Sequence, residues 1–317
     1  MKLIKRSKIR EVERMQQFWN ETYDQERAFY GVEGVSLDHC NFDGPADGES
    51  AFKEAKDIAI NYCFFNLRYP FWHDQHLKIE NSNLTELCRA ALWYSQDIEI
   101  NNTKLHGIKA LRECSNAHIE NSDIISPEFG WNCHNVSMHN VKAQSEYFMM
   151  NSEQLKFSKL EFKGKYSFQY IHDAVFEDCK FDTKDAFWHG KNIVVRNSIV
   201  KGEYLAWYSE DITFEHCTII GTQPLCYVKN LKMIDCKMVD TDLAFERSTV
   251  EATLLDPIVS IKNPLEGTIT VPYVQDEIVM DIEEAKGVVI QTNPQVQTND
   301  ELETVQEETS GQEEVKE

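Results

Sequence analysis

The sequence predicts an all-β protein: a single-stranded right-handed parallel β-helix of about twelve 19-residue coils, with an N-terminal amphipathic cap helix. Three observations predict this fold class: a fixed 19-residue period, strand-like alternation within each period, and a recurring Asn, Asp or His at one position. A fixed period of this length is the signature of a solenoid, in which each coil packs only on its neighbours.

The period is carried by octets such as VSLDHCNF, IEINNTKL and ITFEHCTI, which share apolar residues at their first, third and eighth places. From Thr103 to Cys236 the sixth residue of the octet recurs at every 19th position. The sixth residues are Cys40, Cys63, Ser82, Thr103, Ser122, Val141, Leu160, Cys179, Ser198, Cys217 and Cys236. A random sequence would not keep this constant spacing, so the repeat indicates stacked coils.

Each octet also predicts local structure. The apolar third residue alternates with polar neighbours, which is the two-residue period of a β-strand. The fifth residue, as in Asn81, Asn102 and Asn121, is of a type that tolerates a left-handed backbone, so a corner and a second strand should follow. A third strand is predicted in segments such as ALWYSQ and LAWYSE. Coils stacked at roughly 4.8 Å would make a solenoid about 58 Å long.

Two other solenoids share part of this pattern. Leucine-rich repeats need a further Leu three residues before the strand, where this chain has residues such as Ser95, Cys114 and Gly190. The left-handed β-helix uses a strict hexapeptide and so about 18 residues per coil, which a 19-residue coil with three unequal sides breaks. The right-handed parallel β-helix is therefore favoured.

Composition and charge exclude several function classes. The chain has 53 Asp and Glu against 32 Lys and Arg, a net charge of -21, so no nucleic-acid partner is expected. No apolar run of about 18 residues occurs and the N-terminus lacks the apolar stretch of a signal peptide, which predicts a cytoplasmic protein with no membrane partner. The nine Cys form no CxxC pair and are predicted to be reduced thiols. No cofactor and no metal are expected.

The ends of a solenoid need caps, because the terminal coils expose the core. Ser7 can cap a helix in which Ile9, Val12, Met15 and Trp19 share one face. The predicted segments are residues 1–33 as an N-terminal cap, 34–255 as the β-helix, 256–292 as an irregular C-terminal coil, and 293–317 as a disordered acidic tail.

Residues 19 positions apart should form ladders along the stack. The third strand carries a Trp-rich ladder and, one residue later, a ladder of Tyr, His and Asn; adjacent residues of a strand face opposite ways. Burying the second ladder would leave Glu113 and Glu246 without water, so the Trp ladder is predicted to lie inside. Its members include Trp93, Trp131, Trp188 and Trp207.

The outer ladder is the predicted binding strip. Its candidate ligand-binding residues are His73, Tyr94, Asn132, Asn151, Tyr170, His189, Tyr208 and Tyr227, flanked by Phe71, Phe168 and Phe187. Aromatic rings beside hydrogen-bonding groups suit sugar rings, which have an apolar face and a rim of hydroxyl groups. The alternative is that the aromatic residues stack between coils only for stability.

Arg112 is the unusual member of the Trp ladder, because it falls between Trp93 and Trp131. It should either lie between the two indoles as a buried cation, or turn outward to solvent or pair with Glu113. Arg112 and Glu113 are the candidate catalytic residues. A glycoside hydrolase needs two carboxylates at one bond, and Glu113 and Glu246 lie seven coils apart, roughly 34 Å.

Several motifs also carry a family resemblance. They include ERAFYG at residues 26–31, FDGPADGESAFKEAKDI at 42–58 and GEYLAWYSEDITFEHCTI at 202–219. Over roughly residues 26–282 the chain resembles an uncharacterised bacterial β-helix family, a domain of unknown function that is pectin-lyase-like by fold. The resemblance implies a right-handed β-helix and supplies no established activity or catalytic residue.

These observations predict a non-catalytic scaffold that binds a glycan or a protein along the outer ladder. The alternative is a carbohydrate-active enzyme, a polysaccharide lyase or a glycoside hydrolase, that acts on the outer strand face near Arg112 and Glu113. The sequence leaves the oligomeric state and the identity of the ligand open.

Deletion of residues 300–317 should leave folding unchanged, because eight acids and one Lys in this segment bury no apolar surface. The melting temperatures of the truncated and the full chain should agree within a few degrees. A larger fall in the truncated chain would show that the tail docks on the solenoid.

Overall fold

The computed structural model describes residues 15–285 and 288–292, which form an all-β parallel solenoid of about 14 turns. Each coil runs along up to three faces, and strands on one face pair in parallel with the strands of the coils before and after. The expected twelve coils are thus too few, because parallel pairing continues at both ends beyond the strict 19-residue period. The described residues contain no helix long and apolar enough to cross a membrane.

Face A is the longest ladder and holds the first half of each octet. Its strands are Gln16–Trp19, Glu33–Asp38, Lys56–Asn61, Gln75–Glu80, Gln96–Asn101, Ser115–Glu120, His134–Ser145, Glu153–Gly164, His172–Glu177, Lys191–Arg196, Glu210–Glu215, Lys229–Val239, Thr249–Leu254, Glu266–Val271 and Val288–Thr292. Three of them, His134–Ser145, Glu153–Gly164 and Lys229–Val239, continue onto face B.

Faces B and C complete the coil with shorter strands. The remaining strands of face B are Thr22–Tyr23, Asn41–Phe42, Phe64–Phe65, Asn83–Leu84, Lys104–Leu105, Asp123–Ile125, Lys180–Asp182, Ile199–Lys201 and Thr218–Ile220. The strands of face C are Phe71–Trp72, Leu92–Trp93, Leu111–Arg112, Glu128–Phe129, Tyr147–Phe148, Ile258–Lys262 and Val274–Val279. From Ser167 to Arg247 face C is made of turns and bridges rather than strands.

The corner between faces A and B is the one predicted from the octet. Asn81, Asn102 and Asn121 have φ of 51°, 48° and 50°, the left-handed values expected for a one-residue corner. The corner side chains also bond along the stack: Asn102 Nδ2 donates to Asn81 Oδ1 at 2.8 Å, and Asn140 Nδ2 donates to Asn121 Oδ1 at 2.8 Å. Each coil thereby sets the position of the next.

The sixth residue of the octet lies inside, where small polar groups satisfy the backbone. Ser82 Oγ accepts a hydrogen bond from the backbone N–H of Cys63 at 3.0 Å and donates to the carbonyl of Glu80 at 2.7 Å. All nine Cys are buried and free. Burial raises the pKa of Cys63 to about 12, so its thiol stays protonated at neutral pH and packs as a small apolar group.

The predicted cap helix is wrong over its described part. Gln16–Trp19 is a strand that pairs in parallel with face A, with Phe18 opposite Leu37, and Trp19 is 67% exposed instead of covering the core. The first coil presents unpaired backbone groups, and a further strand satisfies them in a way that a helix cannot. Ser7, Ile9 and Val12 lie outside the described residues.

At the C-terminal end the solenoid continues with coils of unequal length. On face A, Thr249 pairs with Glu266, a step shorter than the 19-residue period, and Gly267 pairs with Val288, a step longer than it. The loss of the regular period after Leu254 thus marks coils of changed length. The predicted acidic tail, residues 293–317, lies outside the described residues.

Asp74 is a buried acid in the core. Its Oδ1 accepts the backbone N–H of Ala55 at 2.9 Å, whereas its Oδ2 is buried without a partner among the described residues. Ser95 holds the same position one coil later, and its Oγ accepts the N–H of Asp74. Desolvation by burial raises the pKa of Asp74 to about 9, so the carboxyl group is protonated in the folded protein at neutral pH.

Because the pKa of Asp74 is higher in the folded than in the unfolded chain, folding binds a proton between about pH 4 and 9. The contribution of Asp74 to stability is therefore full at acid pH and falls as the pH rises, by up to about 1.4 kcal/mol per pH unit. The variant Asp74→Asn should gain stability over the parent as the pH is raised from 5 to 8. Urea unfolding at both pH values tests this, and parallel pH profiles of the two proteins would contradict the shift.

Candidate functional site

The face assignment predicted for the third strand is correct for the outer ladder and wrong for the Trp ladder. Tyr94 and Tyr208 are 39% and 48% exposed, as expected. The Trp side chains are half-buried, and in most coils the residue before the ladder residue is the one that points into the core. These core residues include Phe71, Leu92, Leu111, Phe168 and Phe187, so the three Phe do not belong to the binding strip. At Trp131, where the preceding residue is Gly130, the ring of Phe129 is buried instead.

From Gly130 to Leu225 the cause is a backbone feature that strict alternation leaves out, a left-handed residue just before the ladder residue. In the coils of Trp72 and Trp93 the residue before the Trp lies in a regular strand, and only the outer-ladder residue after it is left-handed. Phe187 and His189, on either side of Trp188, have φ of 62° and 54°. Two left-handed residues separated by one other residue bend the chain twice, so that Phe187 points inward, Trp188 lies along the surface and His189 points outward. Large apolar residues rarely adopt positive φ, and the residue types therefore gave no signal of this bend.

The Trp ladder forms a half-buried layer beneath the outer ladder. The rings of Trp72 and Trp93 stack at 5.1 Å between centroids, and those of Trp188 and Trp207 stack at 5.6 Å. Their indole N–H groups donate to backbone carbonyls, as Trp93 Nε1 does to Lys109 at 2.8 Å. Trp131 Nε1 is buried and has no acceptor among the described residues.

Arg112 both lies between the two indoles and contacts Glu113, so it combines the two predicted environments. Its guanidinium carbon lies 5.2 Å from the ring centroid of Trp93 and 5.3 Å from that of Trp131, so the two indoles cover both of its faces. Its Nε also lies 3.8 Å from Glu113 Oε1, an ion-pair contact at the surface. Arg112 is thus a half-buried cation held between rings and directed toward the outer ladder.

The outer ladder brings the predicted ligand-binding residues into one row, all of them in left-handed conformation. Its aromatic members stack on one another: His73 on Tyr94 at 4.8 Å, and the series Tyr170, His189, Tyr208 and Tyr227 at 4.9, 5.2 and 4.8 Å. Neighbouring rings cover both faces of His189 and Tyr208. A sugar ring can therefore reach only their edges, and stacking on these members is excluded.

The row is interrupted between Tyr94 and Tyr170 by three shorter side chains, Glu113, Asn132 and Asn151. We call this interruption the polar gap. Asn151 Nδ2 donates to Asn132 Oδ1 at 2.8 Å, and Asn132 Nδ2 donates to Glu113 Oε1 at 3.2 Å. Among the described residues no ring covers the faces of Tyr94 and Tyr170 that look into the gap. Four coil steps separate these two rings, roughly 19 Å.

Two further grooves lie on other faces, and the sequence did not indicate them. One, of about 660 Å³, follows the Asn corner and includes Tyr62, Asn102 and Lys142. The other, of about 540 Å³, follows face B between Ile125 and Ile220. Within the part of the chain that the structure describes, no group of three His, Cys, Asp or Glu side chains is placed to hold a metal ion.

The fold and these ladders define a parallel β-solenoid whose outer surface is built from columns of stacked side chains. The chain belongs to the family described as "Protein of unknown function (DUF3737)", whose model matches residues 16–291. A search of curated proteins gives no match.

Solved structures with a similar fold include PfbA, a surface adhesin of Streptococcus pneumoniae. It shares 9% identity with this chain at a TM-score of 0.52, covering 75% of this chain and 86% of PfbA. The A-module of the Azotobacter vinelandii mannuronan C-5 epimerase AlgE4 is more distant, with 8% identity, a TM-score of 0.30 and coverage of 88% and 87%. The likeness to PfbA shows the shared fold.

Three adjacent residues should differ sharply in their effect on stability. Phe187→Ala removes a fully buried ring and should cost about 3 to 5 kcal/mol of unfolding free energy. His189→Ala removes an exposed ring with two stacking neighbours and should cost about 1 kcal/mol. The loss of unfolding free energy for Trp188→Ala should lie between these two values. Denaturant unfolding measures the series, and equal losses for Phe187→Ala and His189→Ala would refute the inward position of Phe187.

Proposed function

We propose that this protein is a non-catalytic scaffold that binds a glycan in the polar gap of the outer ladder. The observation that carries the proposal is the interruption of an otherwise stacked row. Elsewhere in the row the rings stack on one another, whereas at the gap no ring stacks on one face of Tyr94 and one face of Tyr170, and a line of hydrogen-bonding groups lies between them. An exposed site of this kind is where a ligand gains most from contact.

The chemistry of the gap suits a saccharide. The free faces of Tyr94 and Tyr170 can pack against the apolar faces of sugar rings at the two ends of a bound segment. Between them, Asn132 and Asn151 offer amide groups and Glu113 offers a carboxylate to hydroxyl groups. The left-handed corners hold these side chains on a rigid stack, which lowers the entropy lost on binding.

The comparison with PfbA supports a binding role. PfbA is a surface adhesin, and its solenoid shares the fold of this chain. A protein ligand is the other partner that such a scaffold could take, but the uncovered rings and the amide row favour sugar rings. The right-handed winding of the coils and a cytoplasmic location also stay proposals. Both are supported by the sequence pattern alone.

The second candidate function is a carbohydrate-active enzyme, a lyase or a hydrolase, because Arg112 and Glu113 lie side by side at the gap. A glycoside hydrolase needs two carboxylates that face one bond. Glu113 is the single carboxylate in the ladder between Tyr94 and Tyr170. The lack of a second carboxylate argues against a hydrolase, and we favour binding without catalysis.

Tyr94→Ala and Tyr170→Ala should each weaken saccharide binding roughly 3- to 10-fold, because each removes an uncovered ring face. Tyr208→Ala is the matched control, since both faces of this ring are already covered. A glycan array identifies a bound saccharide and calorimetry compares the variants. If no saccharide binds the parent, or if Tyr208→Ala loses as much affinity as Tyr94→Ala, the gap is not a glycan site.

A further inference from the structure

Two indole rings hold the side chain of Arg112 in place. The indoles of Trp93 and Trp131 cover both faces of its guanidinium group, and its side chain is only 28% exposed. A guanidinium group enclosed in this way can form hydrogen bonds only in its own plane, through its N–H edges. Those edges therefore determine what the group can bind.

None of those N–H groups has an acceptor within hydrogen-bond distance among the described residues. The nearest carboxylate oxygen, Glu113 Oε1, lies 3.8 Å from Nε, and the same oxygen already accepts Asn132 Nδ2 at 3.2 Å. By contrast, Arg196 on face A donates from Nε to Glu215 at 2.6 Å. The nitrogens of Arg112 are not among the buried atoms that lack a partner, so its unpaired N–H edges reach solvent, where a ligand can replace water.

We propose that the glycan bound in the polar gap is acidic, and that Arg112 binds a carboxylate of one of its uronic-acid rings through Nη1 and Nη2. This inference rests on the proposed function and adds the ligand class to it. A planar carboxylate matches the planar guanidinium fork and takes two parallel hydrogen bonds. A neutral sugar hydroxyl would satisfy these donors less well.

The position of Arg112 makes this contact selective. Glu113 lies on the Nε side of the guanidinium group, so the Nη1 and Nη2 end is the one left for an external oxygen pair. The indoles restrict the rotation of the side chain, so little further entropy is lost when a carboxylate binds. The net charge of -21 opposes anion binding at long range, but the Debye length is about 8 Å at physiological ionic strength. The charges that matter most are therefore those close to the site: the guanidinium of Arg112, and the carboxylate of Glu113 on its Nε side.

The test compares uronic-acid tetrasaccharides, their methyl esters and the neutral hexose tetrasaccharides of the same linkage. The esters keep every ring and linkage, remove the charge and add one methyl group to each carboxyl group. The parent should bind an acid roughly 10- to 100-fold more tightly than its ester. Arg112→Gln should abolish this preference, and Arg112→Lys should retain only part of it, because Lys keeps the charge without the planar fork. Arg196→Gln is the matched control and should behave as the parent.

The outcomes separate this inference from the proposed function. If the parent binds the methyl ester or the neutral sugar as tightly as the acid, or if Arg112→Gln keeps the preference for the acid, the carboxylate contact is wrong while glycan binding stands. If no acidic, esterified or neutral tetrasaccharide binds the parent, the proposed function fails and this inference fails with it. Should Arg112→Gln not fold, as judged by its melting curve, the ratio of acid to ester affinity in the parent decides.

Discussion

The structure depends on parallel backbone pairing between coils in a constant 19-residue register. From Gln96 to Lys229 on face A, each strand pairs with its equivalent one period further along the chain, so a given position of the repeat always lies above its counterpart. The hydrogen bonds of one coil are completed by its neighbours, and identical positions become columns about 4.8 Å apart. Core, corners and surface ladders all follow from this register.

Like residues within a column stabilise one another by contacts from coil to coil. Because these contacts use their binding groups, they limit where a ligand can bind. The corner Asn residues bond Nδ2 to Oδ1 from coil to coil, and the rings from Tyr170 to Tyr227 cover each other's faces. Where a column is uniform, its groups are already paired. The columns change type at Arg112 in the Trp ladder and between Tyr94 and Tyr170 in the outer ladder, and the proposed binding site lies there.

Left-handed residues recur at several positions of the repeat, and two of these positions shape the corner and the core of face C. At Asn81 and its equivalents they make the corner between faces A and B, with residue types that accept positive φ readily. On face C the same conformation is imposed on Phe187, Ala206 and Leu225, whose side chains do not favour it. Their burial in the core provides the free energy that holds them there, and the bend brings the next two residues to the surface.

The sequence by itself determined the period, the parallel solenoid and the face A core, because the octets obey strand alternation and repeat without a shift. It also placed Tyr94, Tyr208 and the other members of the outer ladder correctly at the surface.

Only the tertiary structure decided that Phe187 rather than Trp188 enters the core, since the deciding φ values arise from packing and not from residue type. It also decided that Gln16–Trp19 is a strand, because that choice depends on the open edge of the first coil. The lack of ring stacking at the polar gap also depends on the tertiary structure. It is decided by which side chains lie next to each other in adjacent coils, and the sequence of one repeat does not show this.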